Sequence, residues 1–268
     1  MCSVNIYRFY YKMKDNVMGK TKKVRKNRRE YVGWDQDAER LILYADVMGF
    51  KSRVLTRTHE ELKCEFLEFR EAWDARISPL QLNDFLKFVQ FSDSMMIVVK
   101  GVDEKMFNLL TKAAITLMQI AMEKKFPLKG AIAQGTFGFY SDKQLYFGQP
   151  LCDAAVLHDQ LKFYGVAVHH SAEKTVRSFT SALLPYSKTP IYIDKGKVCH
   201  YHLCWNLLDK TYQSKDITYQ CKMWLRTIEE SVSGEPRMYV DRTLEILNND
   251  SLEYKKSNNI QDQDNAEA

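Results

Sequence analysis

The chain has 268 residues, 45% of them hydrophobic, with six cysteines and a formal net charge of +5. That is apolar material enough for one sizeable core, and with no run of 18 apolar residues a membrane partner is not expected and a globular, cytoplasmic protein is. Six cysteines scattered over this length do not read as a disulfide framework, so reduced thiols are expected.

Residues 1–30 hold ten Lys and Arg against Asp15 and Glu30, an excess of eight positive charges that leaves the remainder at net −3. Residues 1–36 therefore read as a basic, flexible arm, and a solvated leader is a simpler reading than a nucleic-acid contact. The "GKT" at 19–21 resembles the end of a phosphate loop, but Lys14 stands where the earlier glycine is required and no apolar strand precedes it. "RLILYADVMGF" (40–50) reads as a buried strand that ends at Asp46 and breaks at Gly49. From Ser52 to Arg76, Val54, Leu55, Leu62, Phe66, Phe69 and Trp73 recur near helical spacing, which predicts one amphipathic helix or two.

Two short apolar runs then flank "FSDS" (91–94), which lacks the Asn-Gly or Asp-Gly of a tight hairpin and sets a single carboxylate, Asp93, between strands. A strong helix over 104–126 stops before Pro127. "LKGAIAQGTFGFY" and "QLYFG" read as paired strands, "PLCDAAVLHDQLKFYG" as a helix leaving at Gly165, and "VAVHH" as a strand. "SAEKTVRSFTSALL" follows as a further helical segment, and "PIYIDKGKVCHYHLCW" reads as two strands about a "DKGK" turn. Residues 249–268 are polar and aperiodic and read as a disordered tail.

This order predicts an α+β fold on a ferredoxin-like βαββαβ core over residues 37–248, with an extra C-terminal hairpin and helices. In such a sheet the first strand lies antiparallel to the third, so Asp46 and Asp93 should converge. Two carboxylates a few ångströms apart repel unless a cation separates them, and oxygen ligands at a sheet edge suit Mg²⁺ or Mn²⁺. Singly, Asp46 also fits a helix cap and Asp93 a turn residue, while Lys129, Lys195 and Lys197 also fit ordinary solvated lysines. "CHYHLC" (199–204) invites a zinc reading, but strand alternation puts Cys199 and Cys204 on opposite faces, where they cannot close one tetrahedron without a break. "HHS" (169–171) reads as a strand end followed by a helix cap at Ser171.

Over 39–204 the chain resembles the catalytic domain of class III nucleotidyl cyclases. "YADVMGF" is similar to the family's first metal motif, "FSDS" stands for its metal-bearing hairpin, "LKGAIAQG" for its Arg-x-Gly-Ile strand, "YFGQPLCDAAVLH" for its strand-Gly-helix segment and "IYIDKGKVCHYHL" for its closing hairpin. The "FSDS" form looks closest to the bacterial cyclases of pyrimidine-cyclase antiphage systems and their uncharacterised relatives. The resemblance implies a nucleoside triphosphate substrate, two Mg²⁺ or Mn²⁺ ions held by Asp46, Val47 and Asp93, and a homodimer with sites at its interface. It further implies substrate contacts from Gly49, Phe50, Lys129, Lys195 and Lys197; Asp153, with His158 and Asp159 a polar residue left on the helix after "FG", is a candidate substrate contact by its own chemistry, as a side chain able to read a base edge. Cys152 and Val156 depart from the resemblance, because purine cyclases carry Asn and Arg there, and Val89 and Leu145 are apolar at the two base-selecting positions. The expectation is a cyclase favouring a pyrimidine triphosphate and making a second messenger of antiviral defence. A catalytically silent cyclase-homology domain that binds a nucleotide or partner is the second reading. Nucleic-acid binding is not expected, since no aromatic platform motif accompanies the basic arm.

Overall fold

A computed structural model describes residues 31, 33–77, 84–179, 185–206 and 215–264. The basic arm expected over 1–36 lies almost wholly outside the described residues. An eight-stranded sheet has the order β2-β3-β1-β4-β6-β10-β7, with β5 paired to β4. Its strands are β1 (Ala38–Val47), β2 (Leu86–Phe91), β3 (Ser94–Val99), β4 (Leu128–Tyr140), β5 (Leu145–Gly148), β6 (Val166–Val168), β7 (Tyr186–Ser187) and β10 (His202–Leu203), while β8 (Pro190–Ile193) and β9 (Gly196–Cys199) form a separate hairpin. The helices are α1 (Phe50–Thr56), α2 (His59–Ile77), α3 (Glu104–Glu123), α4 (Gln149–Gln160), α5 (His170–Phe179), α6 (Lys215–Ser231) and α7 (Glu235–Asp264).

β1 lies between β3 and β4 and runs antiparallel to both, which is the expected ferredoxin-like core within an α+β fold. Alternation along β1 sorts its side chains between two apolar clusters. Leu41, Leu43, Ala45 and Val47 join the larger one, with Phe69 and Trp73 of α2 and the apolar face of α3. Ile42 joins the smaller one on the other face, with Ala154 and Leu157 of α4, Ile191 of β8 and, partly buried, Tyr44. Asp103 starts α3 by accepting from Met106 N–H at 3.0 Å, and the helix runs to Glu123.

Two readings need correction. "PIYIDKGKVCHYHLCW" makes three strands, not two: the chain breaks after Cys199, and β10 returns to the main sheet between β6 and β7. The tail expected to be disordered from 249 is helical through Asp264, because the helix entering it from Glu235 carries Asp250, 1% exposed and hydrogen-bonded to His202 of β10. One buried polar anchor of that kind is invisible to a composition argument.

Candidate active site

The sheet registers place Phe91, Ser94, Asp46 and Lys129 in one row on one face, at the edge where β1 ends and β4 begins. Asp93 stands in the turn beside that row. The turn forms without a glycine: Phe91 pairs with Ser94, and Ser92 takes up a φ of 56°. A side chain in that region costs about 1 kcal/mol, here offset by a cross-link to the turn, since Val47 N–H donates to the Asp93 carbonyl at 3.2 Å, while Met48 N–H, donating to the Pro127 carbonyl at 2.7 Å, ties the end of β1 to the entry of β4. Gly49 follows with a φ of 74° and opens α1. Gly130, beside Lys129, permits the close approach of β4, because a Cβ there would lie 2.7 Å from the Tyr44 carbonyl.

Asp46 and Asp93 therefore converge as the sequence predicts. Burial raises the pKa of the Asp46 carboxyl, and the Asp93 charge raises it further, against a hydrogen bond from Ser94 Oγ at 3.3 Å. Ser94 Oγ also meets Tyr44 Oη at 3.2 Å, so Tyr44, Ser94 and Asp46 form a short chain of contacts. This donor set, two half-buried carboxyls repelling one another at a sheet edge, fits a hard divalent cation. Val47 is 2% exposed, with its side chain in the larger core, so it can serve a metal only through its main chain.

Lys129 is 5% exposed, and its Nζ donates to the Leu161 carbonyl at 3.4 Å. Burial lowers its pKa, with Lys162 adding to the effect and Asp159, Asp194 and Asp46 opposing it. Tyr44 also packs edge-on against His158 of α4, at 5.3 Å between ring centroids. Burial, then the Lys129 charge, pushes the His158 pKa down to about 4, so its contact with Asp159 at 3.2 Å is a hydrogen bond of a neutral ring at pH 7. Tyr44 was legible as a neighbour of Asp46, being two residues away on one strand face. The involvement of Ser94 follows from the hairpin register, whereas nothing local to the sequence ties His158 to Tyr44.

The remaining expected residues lie elsewhere. Phe50 packs its ring on Phe66 at 5.7 Å. Lys195 is exposed at the β8–β9 turn, and Lys197 is held by Glu245 of α7 at 2.6 Å. Asp153 does not join the Asp46 row: it accepts from Gln149 Nε2 at 2.7 Å and lies 3.7 Å from His169 Nδ1, because α4 turns it toward the end of β6. Cys152 and Val156 are exposed on α4, and Leu145 pairs with Tyr140 at the far end of β4 from Lys129. Eleven residues of strand separate those ends, on the order of 35 Å. Beside the Asp93 turn, a groove of about 510 Å³ opens between α1, α2 and the hairpin, lined by Phe50, Phe66, Arg70, Gln90 and Ser92 among others.

No protein-family model and no curated protein matches this chain. Among solved structures it is similar to the guanylate cyclase domain of RhGC from Catenaria anguillulae in complex with GTP, at 12% identity over 62% of this chain and 95% of that one, with a TM-score of 0.45. It is also similar to the guanylyl cyclase domain of the RhoGC fusion protein from the aquatic fungus Blastocladiella emersonii, at 13% identity, 62% and 94% coverage and a TM-score of 0.47. For the adenylyl cyclase CyaB from P. aeruginosa the corresponding values are 14%, 65%, 96% and 0.41. Likenesses this distant say nothing of what the chain acts on.

Proposed function

We propose that this chain is a metal-dependent nucleotidyl cyclase of the class III type, converting a nucleoside triphosphate into a 3′,5′-cyclic mononucleotide and pyrophosphate. One observation carries the reading: Asp46 and Asp93, far apart in sequence, meet at one sheet edge, where burial and then the Asp93 charge raise the pKa of Asp46. Asp46, Asp93 and the main chain of Val47 would hold Mg²⁺ or Mn²⁺, which when bound activates the ribose 3′-hydroxyl and neutralises phosphate charge. The 3′-oxygen bonds to the α-phosphorus, the bond from that phosphorus to the bridging oxygen breaks, pyrophosphate leaves and the hydroxyl proton passes to solvent. The Gly49–Phe50 turn faces the phosphates, Lys129 and Lys195 supply positive charge, and Tyr44 and Ser94 fix the Asp46 carboxyl.

The homodimer belongs to the same proposal. Leu145 lies too far along the molecule to share a substrate with Asp46 of its own chain, so it acts on the site of a second copy. Val89 and Leu145 offer no hydrogen bonds to a purine edge, which favours a pyrimidine and, with it, a second-messenger role in antiviral defence. Exposed Cys152 and Val156, where purine cyclases have Asn and Arg, favour the second reading, a silent domain that binds nucleotide without turnover.

The test is to incubate the protein with Mn²⁺ and all four ribonucleoside triphosphates at equal concentration and read the products by mass. Cyclic CMP or cyclic UMP is expected to dominate. A pool of cyclic AMP or GMP overturns the pyrimidine preference, and no cyclic product from any triphosphate overturns the enzyme assignment.

A further inference from the structure

Away from the aspartate edge, three buried side chains of different chemistry meet where α7 crosses β10. One ligand atom each from His202, Cys204 and Asp250 lie within 4.8 Å of one another, and the residues are 1%, 2% and 1% exposed. His202 Nε2 is 2.8 Å from Asp250 Oδ1, and Thr189 Oγ1 donates to the same oxygen at 3.3 Å. Among the described residues Asp250 pairs with no Lys or Arg, and His202 Nδ1 has no hydrogen-bond partner. The alternation argument against Cys199 and Cys204 holds, since Cys199 is exposed on the β8–β9 hairpin and Cys204 is buried. The sequence reading lacked the third partner, 46 residues beyond Cys204 on another element.

We propose that His202, Cys204 and Asp250 form a zinc site that fastens the C-terminal helix to the central sheet, independently of the aspartate pair. A nitrogen, a sulfur and an oxygen donor suit Zn²⁺ and not the hard ions expected at Asp46 and Asp93. A thiolate and a carboxylate together balance the charge of a dication, as a dry interior requires. Bonds of about 2.0–2.3 Å around a tetrahedron set ligand atoms roughly 3.3–3.7 Å apart. The cluster reaches that spacing by a local adjustment in which Nε2 and Oδ1 open by about half an ångström from their hydrogen bond and the wider contacts, all within 4.8 Å, close on the ion. On binding, the Cys204 proton leaves to solvent, the imidazole proton shifts from Nε2 to Nδ1 so that Nε2 exchanges its bond to Asp250 for the metal, and the Thr189 hydroxyl stays on the carboxylate and orients it. Three protein ligands leave one position for a water.

The experiment is metal analysis of protein expressed with added zinc and purified without chelator, followed by exchange for Co²⁺. One zinc per chain is expected, retained in an Asp46→Asn/Asp93→Asn variant and lost in Cys204→Ser. The cobalt form should show a thiolate-to-metal band in the near ultraviolet that Cys204→Ser removes while the other five cysteines remain. Should that variant fail to fold, the wild type decides: a chelator lowers its Tm and zinc restores it. Wild-type protein that takes up neither ion, a cobalt band unchanged in Cys204→Ser, or a Tm indifferent to chelator each overturns the site.

Discussion

Asp46 carries a charge that the fold itself disfavours. Burial and the facing Asp93 charge hold its pKa above the ordinary carboxylate value, so the folded chain keeps a proton there that the unfolded chain has given up. Stability from this group is greatest at acid pH and is lost as pH rises through the folded pKa, the reverse of a salt-bridged aspartate. At neutral pH the metal-free pair is a standing cost. Replacing Asp93 by Asn should therefore raise the Tm of metal-free protein at pH 7, with a smaller gain near pH 4, while lowering cyclase turnover by orders of magnitude. Thermal unfolding with and without Mn²⁺ checks this: the ion should stabilise the wild type and leave Asp93→Asn unmoved. A variant as active as the wild type, or less stable at pH 7, would refute the role of the pair. Both aspartates were legible in the sequence because each ends an apolar run, and a strand end is where a carboxylate can be presented without burial in the core. Their partners Ser94 and Tyr44 needed only the strand register.

At the level of elements, the closing hairpin is less available than its sequence suggests. Lys197 of β9 donates to Glu245 of α7 at 2.6 Å, and Tyr192 of β8 also donates to Glu245. The lysine pKa is raised and the glutamate pKa lowered, each chiefly by their mutual hydrogen bond. Both side chains are exposed, so water screens the pair, it contributes little to stability, and a competing phosphate can displace it. Glu245→Gln should leave the Tm within about 4 °C of wild type and lower KM for the triphosphate by releasing Lys197. An unchanged KM, measured at fixed Mn²⁺, would remove Lys197 from the phosphate site. This pairing was not legible because α7 follows β9 by some 36 residues and its polar composition reads as solvent-exposed chain. The helices and long strands, by contrast, announced themselves through period and through Pro127 and Gly49. The two-residue strands β7 and β10 are too short to show any alternation.

For the whole molecule, the separation of Leu145 from the Asp46 row argues that one chain does not complete a site. Apolar side chains lie exposed on that far side, Leu145 at 48% and Phe147 at 49%, as a face awaiting a second copy would present them. Specific activity should then fall on dilution below the dimer dissociation constant. Constant activity from a species that sediments as a monomer would refute the two-copy site.

The sheet order also dictates when the site is assembled during synthesis. Central β1 takes its neighbours from β3 and β4, so the four strands that bear Asp46, Asp93 and Lys129 are available once Tyr140 has left the ribosome. Asp250 follows roughly 110 residues later, an interval of about 5–20 s at ordinary elongation rates. Early in that interval, until Val166–Val168 emerges, β4 presents an open edge where β6 will later pair, and the nascent half-domain is a template for pairing with other chains. The moment of greatest aggregation risk thus falls between the synthesis of β4 and that of β6. A slow run of codons just after β6, where the edge has been covered, would be harmless, and the same run before β6 would prolong the exposure.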